Sequence, residues 1–140
     1  DKTVLKEISE TASSFIKSEF HNVDIIIPIP PSDLNRQFQP VSTISNAISE
    51  ITQIPTDNGY LRKTAQTFQI KGIDDNEKRR KILLNAFSVI DKRYRAKTIL
   101  LFDDIYRSGE TLNAAAKVLK EQGEVGDIYV LTISKTRTKR

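Results

Sequence analysis

The sequence predicts an α/β domain built on a doubly wound, mostly parallel sheet. Strand-like and helix-like stretches alternate along the chain. Two strand-like stretches, Ile25-Ile26-Ile27 and Ile99-Leu100-Leu101-Phe102, are apolar without alternation. Such runs suit strands buried on both faces, as parallel strands between helices are. The length of 140 residues fits one domain, since domain sizes cluster at ~100–150 residues. With 38% hydrophobic and 29% charged residues the chain can build one core and is not disordered.

The elements follow in order. From Val4 the apolar residues recur at Leu5, Ile8, Ala12, Phe15, Ile16 and Phe20, one face of an amphipathic helix. Asp24–Ile27 is the first buried strand. Pro28, Pro30 and Pro31 come next; proline holds φ fixed and has no N–H, so a loop is expected from Pro28 onward. A second stripe, Val41, Ile44, Ala47, Ile48 and Ile51, is a helix stopped by Pro55. Tyr60-Leu61-Arg62 reads as a strand. The polar stretch Lys63–Lys81 reads as a long loop with a helical turn near its end. Ala86-Phe87-Ser88-Val89 alternates like a half-exposed strand, with Phe87 in the core. Thr98–Phe102 is the second continuous run and ends at Asp103-Asp104. Leu112, Ala115, Ala116 and Leu119 mark the last helix, with Gly123 as its C-cap. Ile128–Ile133 is the last strand.

Composition excludes several kinds of function. There is no cysteine, so disulfides, thiolate zinc sites and a cysteine nucleophile are ruled out; the single histidine, His21, rules out a His-rich metal centre. No apolar run approaches the ~18 residues of a membrane span, and no signal-peptide pattern opens the chain. A cytoplasmic domain without a membrane partner is therefore expected. The net charge of +4 has a local source: four basic residues lie within Lys135–Arg140. Taking those four from the 22 basic residues leaves 18, equal to the 18 acidic ones. A domain over 1–134 and a basic tail over 135–140 are expected. Such tails are mostly solvated, and this one offers at most a weak, salt-dependent contact with nucleic acid. The outer faces of the first helix and of the Ala86–Val89 strand are candidate homodimer surfaces.

In open α/β sheets, ligands bind beyond the carboxyl ends of the strands. Two strand ends qualify here: the proline loop after Ile27 and the stretch after Phe102. In the second, Asp103 and Asp104 can accept hydrogen bonds from a vicinal diol such as that of ribose. Ile105, Tyr106, Arg107, Ser108 and Gly109 are read as a turn whose N–H groups form an anion nest. Ser108 and Thr111 add hydroxyls, and the helix opening near Glu110 and Thr111 adds its positive dipole end. The same spacing also serves a helix N-cap in which Asp104 or Ser108 satisfies the first N–H groups.

Ile99–Thr111 resembles the motif by which type I phosphoribosyltransferases bind 5-phosphoribosyl-1-pyrophosphate (PRPP). It has four apolar residues, two acids, two apolar or small residues, then a loop with Gly and Thr. Three further pieces are similar to the ComF-like (competence protein F) branch of that superfamily. These are Ile27-Pro28-Ile29-Pro30, Arg36-Gln37-Phe38-Gln39, and the series Arg62, Thr67, Gln69, Arg79 or Arg80, Asn85, Ala86, Phe87. The resemblance spans about residues 23–137 and implies a type I phosphoribosyltransferase (Rossmann-like) core.

It also implies an activity: a glycosyltransferase moving a pentosyl group, with a nitrogen nucleophile displacing pyrophosphate from PRPP and Mg²⁺ bound through the substrate. Asp103 and Asp104 would hold the ribose hydroxyls, with Asp104 favoured for proton transfer. Ile105–Thr111 would take the 5-phosphate, and Pro30 and Arg36 would face pyrophosphate. Gln69, Arg79 and Arg80 within Lys63–Lys81, and Arg62 just before it, are residues of a candidate lid. Arg107 and Glu110 depart from the usual loop, and the segment near Arg36 is degenerate. The cysteine-rich zinc module that often precedes this branch is missing, as a trimmed or naturally shorter form would have it. Two other readings stand beside the enzyme: a PRPP- or nucleotide-binding regulatory module without turnover, and an accessory domain for DNA uptake or processing.

Overall fold

The continuous apolar runs become the middle of a sheet covered on both faces. The computed structural model describes residues 2–31, 39–64, 77–78, 81, 85–106 and 109–135. Its elements are α1 (Lys2–Glu19), β1 (Ile25–Pro28), α2 (Pro40–Thr52), β2 (Leu61–Lys63), β3 (Phe87–Val89), β4 (Ile99–Tyr106), α3 (Glu110–Glu121) and β5 (Ile128–Lys135). β1, β4 and β5 form a parallel sheet in the order β1-β4-β5. Ile25 pairs with Ile99 and Ile99 with Ile128. A parallel bridge from Ile26 to Thr56 adds a contact on the far side of β1.

Period-two alternation divides the strand residues between two cores. Ile26, Leu100 and Phe102 pack with Ile16 of α1 and Ile44 and Ile48 of α2. Ile25, Ile27, Ile99 and Leu101 pack with Leu112, Ala115 and Leu119 of α3 and with Leu61 and Phe87. Both faces are apolar because both are covered, which is why neither run alternates in sequence.

Two features depart from the sequence reading. Pro28 lies within β1, opposite Phe102, and not in a loop. Ile26 N–H donates to Pro55 O at 2.8 Å, away from β4. Pro28, two residues on, turns its ring nitrogen to that same side. The donor it lacks is therefore not one that β4 needs, and Ile29 N–H restores the ladder by donating to Phe102 O at 2.8 Å. The second feature is that β2 and β3 do not join the parallel sheet. They pair antiparallel with each other, Leu61 with Val89 and Lys63 with Phe87. The hairpin covers the α3 face of the sheet.

The hairpin is anchored at the end nearest Tyr60. The buried Tyr60 hydroxyl donates to Asp91 O at 2.6 Å, and its ring meets Tyr94 edge-on at 4.7 Å. Tyr94 donates to Asp57 Oδ2 at 2.5 Å, and Arg93 grips Asp91 with two bonds of 2.9 Å. Burial first, and then the Asp57 bond, push the Tyr94 hydroxyl up to about 12. Tyr60→Phe removes one of these bonds without changing the packing. It is expected to cost about 1 kcal/mol in urea unfolding; no change in the midpoint would mean that the hydroxyl contributes nothing to the anchor.

No helix among the described residues is long and apolar enough to cross a membrane. Lys135, placed at the head of the tail by its charge, is the last residue of β5; residues 136–140 lie outside the described residues.

Candidate functional site

β1 and β4 are neighbours whose chains leave in opposite directions. β1 leads through α2 to Thr56, on its outer side, whereas β4 leads through α3 to β5. A crevice opens where two such strands part, at their carboxyl ends. The β1 pairing stops at Phe102, so from Asp103 onward β4 is flanked by β5, with Asp103 opposite Thr132. Pro30 leaves β1 at this level, and Asp103 and Asp104 stand just beyond it, both half-buried.

Asp103 and Asp104 follow one another near the carboxyl end of β4, and their carboxylates are within hydrogen-bond reach of each other. The Asp104 N–H donates to Asp103 Oδ1 at 2.8 Å, and Ser134 Oγ donates to Asp104 O at 3.4 Å. Burial pushes the Asp103 carboxyl from the ordinary value of 3.8 up to about 7, with help from its neighbour Asp104. The Lys63 ammonium pulls in the opposite direction.

The predicted turn is shorter than the sequence implied. β4 runs on through Ile105 and Tyr106, which pair with Ser134 and Lys135, so neither belongs to an anion nest. The strand continues past the acids because β5 is long enough to hold it. Arg107 and Ser108 lie outside the described residues. Gly109 is buried and left-handed, with φ of 80°, and caps α3; its carbonyl accepts the Asn113 N–H at 2.8 Å. A side chain would strain that conformation, so glycine is the residue that lets β4 turn sharply into the helix. Glu110 opens α3 half-buried, with its carboxylate at the positive end of the dipole, and Thr111 is exposed.

The structure places Pro30, Asp103 and Asp104 where β1 and β4 part, and Gly109 and Glu110 at the start of α3, beyond the end of β4. Arg62 does not join them: it is exposed, and its Nε donates back to Gly59 O at 3.3 Å. Arg36, Gln69, Arg79 and Arg80 lie outside the described residues. Lys63, read as the first residue of the polar loop and candidate lid, is instead the last residue of β2. Period two in Leu61-Arg62-Lys63 puts Lys63 on the inner face with Leu61 and Arg62 on the outer face, and that signal was available in the sequence.

An adenine phosphoribosyltransferase superimposes on 97% of the chain, covering 72% of its own, with a TM-score of 0.68 and 11% identity. The fold is that of the type I phosphoribosyltransferases. A purine phosphoribosyltransferase from Pyrococcus horikoshii Ot3 agrees, with a TM-score of 0.57 and 13% identity over 93% of this chain and 81% of its own. In sequence, the chain is 29% identical over 105 residues to competence protein F of Haemophilus influenzae. That match takes in 71% of this chain but 45% of the relative, so the chain spans less than half of the relative's length. No family model matches. The likeness to the competence-protein-F branch and to the phosphoribosyltransferase fold thus agrees with the motif at Ile99–Thr111.

Proposed function

We propose that the protein is a PRPP-dependent phosphoribosyltransferase in which a nitrogen nucleophile displaces pyrophosphate from C1 of the ribose. The observation carrying this reading is the place of Asp103 and Asp104. They are adjacent, half-buried carboxylates at the switch point between β1 and β4, in the segment that leads into α3.

Two carboxylates side by side can accept hydrogen bonds from both hydroxyls of a ribose. The 5-phosphate then falls toward the segment 107–111, where Gly109 lets the chain approach closely and the dipole of α3 favours an anion. Arg107 brings a planar guanidinium suited to bidentate phosphate contact. Glu110 opposes the phosphate and weakens this subsite. Lys63, whose charge acts on Asp103, supplies a positive charge for the departing pyrophosphate.

As the C1–O bond breaks ahead of the new C–N bond, positive charge develops at C1, and the acid pair stabilises it electrostatically. The nucleophile gives up a proton on bonding. Asp103, whose carboxyl titrates near neutrality, is the better matched acceptor. The sequence alone favoured Asp104. Among the described residues no three acidic or histidine side chains converge on one point. That donor set suits an ion held by substrate oxygens, water and the outer reach of Asp103 and Asp104, not by a protein cage. Magnesium bound in this way would neutralise pyrophosphate charge.

Calorimetric titration with PRPP tests the reading. Magnesium-dependent binding that disappears in the Asp103→Asn/Asp104→Asn double variant is expected, followed by pyrophosphate release once a suitable base or amine is supplied. Absence of heat at millimolar PRPP would sink the proposal. Binding without release, whatever nitrogen nucleophile is offered, would favour a regulatory module.

A further inference from the structure

β5 is the end strand of the parallel sheet among the described residues, so its long outer edge faces away from β4. Edge strands are commonly protected by charge, proline or a bulge. β5 has none of these before its last residue, Lys135. Ile128–Ser134 contains no charged residue and no proline, and the register keeps one offset from Ile99↔Ile128 to Tyr106↔Lys135. Val130, at mid-strand, is 43% exposed.

The direction of the backbone groups defines what can pair there. Ile99 N–H donates to Asp127 O at 2.8 Å, so the odd-numbered residues of β5 turn toward β4. Ile128, Val130, Thr132 and Ser134 therefore turn their N–H and C=O groups outward. Place a two-fold axis at Leu131 and lay a second β5 antiparallel alongside. Ile128 then faces Ser134 and Val130 faces Thr132, each outward residue meeting an outward residue. The same register sets Asp127 opposite Lys135, twice by symmetry. Moving the axis to Val130 would set Asp127 opposite Ile133 and remove both charge pairs.

The flanking surface is aromatic on the α1 face and mixed on the α3 face. Tyr129 stacks on Phe20 at 4.9 Å, and Phe20 meets Phe15 edge-on at 5.6 Å, with Phe15 46% exposed. On the other face Val130 and Ile128 border a groove beneath α3 that Asn113, Lys117, Lys120 and Asp127 also line; Lys117 pairs with Glu121 at 4.0 Å and Lys120 donates to Gly126 O.

We propose that β5 is a self-recognising edge: two copies of the chain join antiparallel along it, centred on Leu131, into one continuous sheet. The partner is a second copy because the strand is complementary to itself in both hydrogen bonding and charge. The two PRPP sites then lie at opposite ends of the shared sheet, and neither completes the other.

Sedimentation velocity of the full chain over a concentration series provides the test, with circular dichroism to confirm that each variant folds. A monomer–dimer equilibrium is expected. Val130→Lys, beside the axis and already exposed, should weaken it by about tenfold or more, as should Asp127→Lys or Lys135→Asp alone, each of which sets like charges opposite at two places. The double exchange Asp127→Lys/Lys135→Asp should restore the dissociation constant to within about threefold. A chain that stays monomeric throughout, a dimer indifferent to Val130→Lys, or a double exchange as weak as the single ones would each overturn the proposal. None of these residues belongs to the acid-pair site, so PRPP binding should survive in every variant.

Discussion

Asp103→Asn is expected to stabilise the protein, and to do so increasingly as pH rises through neutrality. In the unfolded chain Asp103 loses its proton near 3.8, whereas burial delays that loss in the folded chain to about 7. Between those values the folded state binds more protons than the unfolded state, so stability falls as pH rises. The contribution of the protonated acid is intact below about pH 4 and lost above about pH 7. Asparagine has the shape of the protonated acid, cannot ionise, and keeps an oxygen for the Asp104 N–H. Thermal unfolding should show little difference at pH 4 and a gain for Asp103→Asn of about 1–3 kcal/mol at pH 8, discounted for coupling to Asp104 and residual contact with water. A variant less stable than the wild type at pH 8 would refute the burial cost. The gain should come with loss of PRPP binding, the exchange of stability for activity common at functional sites.

The second large effect is expected at Gly123, and its origin is steric. The sequence marks Gly123 as the C-cap of the last helix; the cap is Gln122, and the left-handed residue is Glu124, with φ of 53°. Gly123 is instead required by space. A Cβ there would lie 2.8 Å from Leu119 O and 2.8 Å from the Tyr60 hydroxyl. The first is helix backbone, and the second is held by Asp91 at 2.6 Å, so neither can yield cheaply. Gly123→Ala should cost about 2–4 kcal/mol in denaturant unfolding. Gly59→Ala is the control: its added carbon would meet only Asp57 Oδ1 at 3.9 Å, and a change within about 0.5 kcal/mol is expected. In a Tyr60→Phe background the cost of Gly123→Ala should shrink, since one of its two obstacles is gone. Purely additive effects would count against the steric account.

The fold was legible because burial on two faces leaves a mark that needs no partner: an unbroken apolar run such as Ile25–Ile27. The candidate site was legible for a similar local reason, two acids directly after such a run. What escaped depended on partners distant in sequence. Asp103 and Asp104 read as the end of a strand because charge usually stops one; only the length of β5 carries β4 on to Tyr106. Pro28 read as a strand breaker because the side of β1 that its nitrogen would face could not be known. The β2–β3 pairing joins residues on either side of a long polar stretch, and nothing within Leu61–Lys63 announces Phe87 as a neighbour. Lys63 read as the start of the polar loop because the residues after it are polar; only its pairing with Phe87 makes it strand.

The anchor at Tyr60 and the charge at Lys63 occupy opposite ends of the same short hairpin. Asp57, Asp91, Arg93 and Tyr94 tie down one end, whereas the other brings Lys63 beside Asp103. The strand pair is in effect a lever with an aromatic fulcrum. Loosening Tyr94 from Asp57, as in Tyr94→Phe, is expected to shift Lys63 at the far end and so change the titration of Asp103, read by NMR, while both carboxylates stay in place.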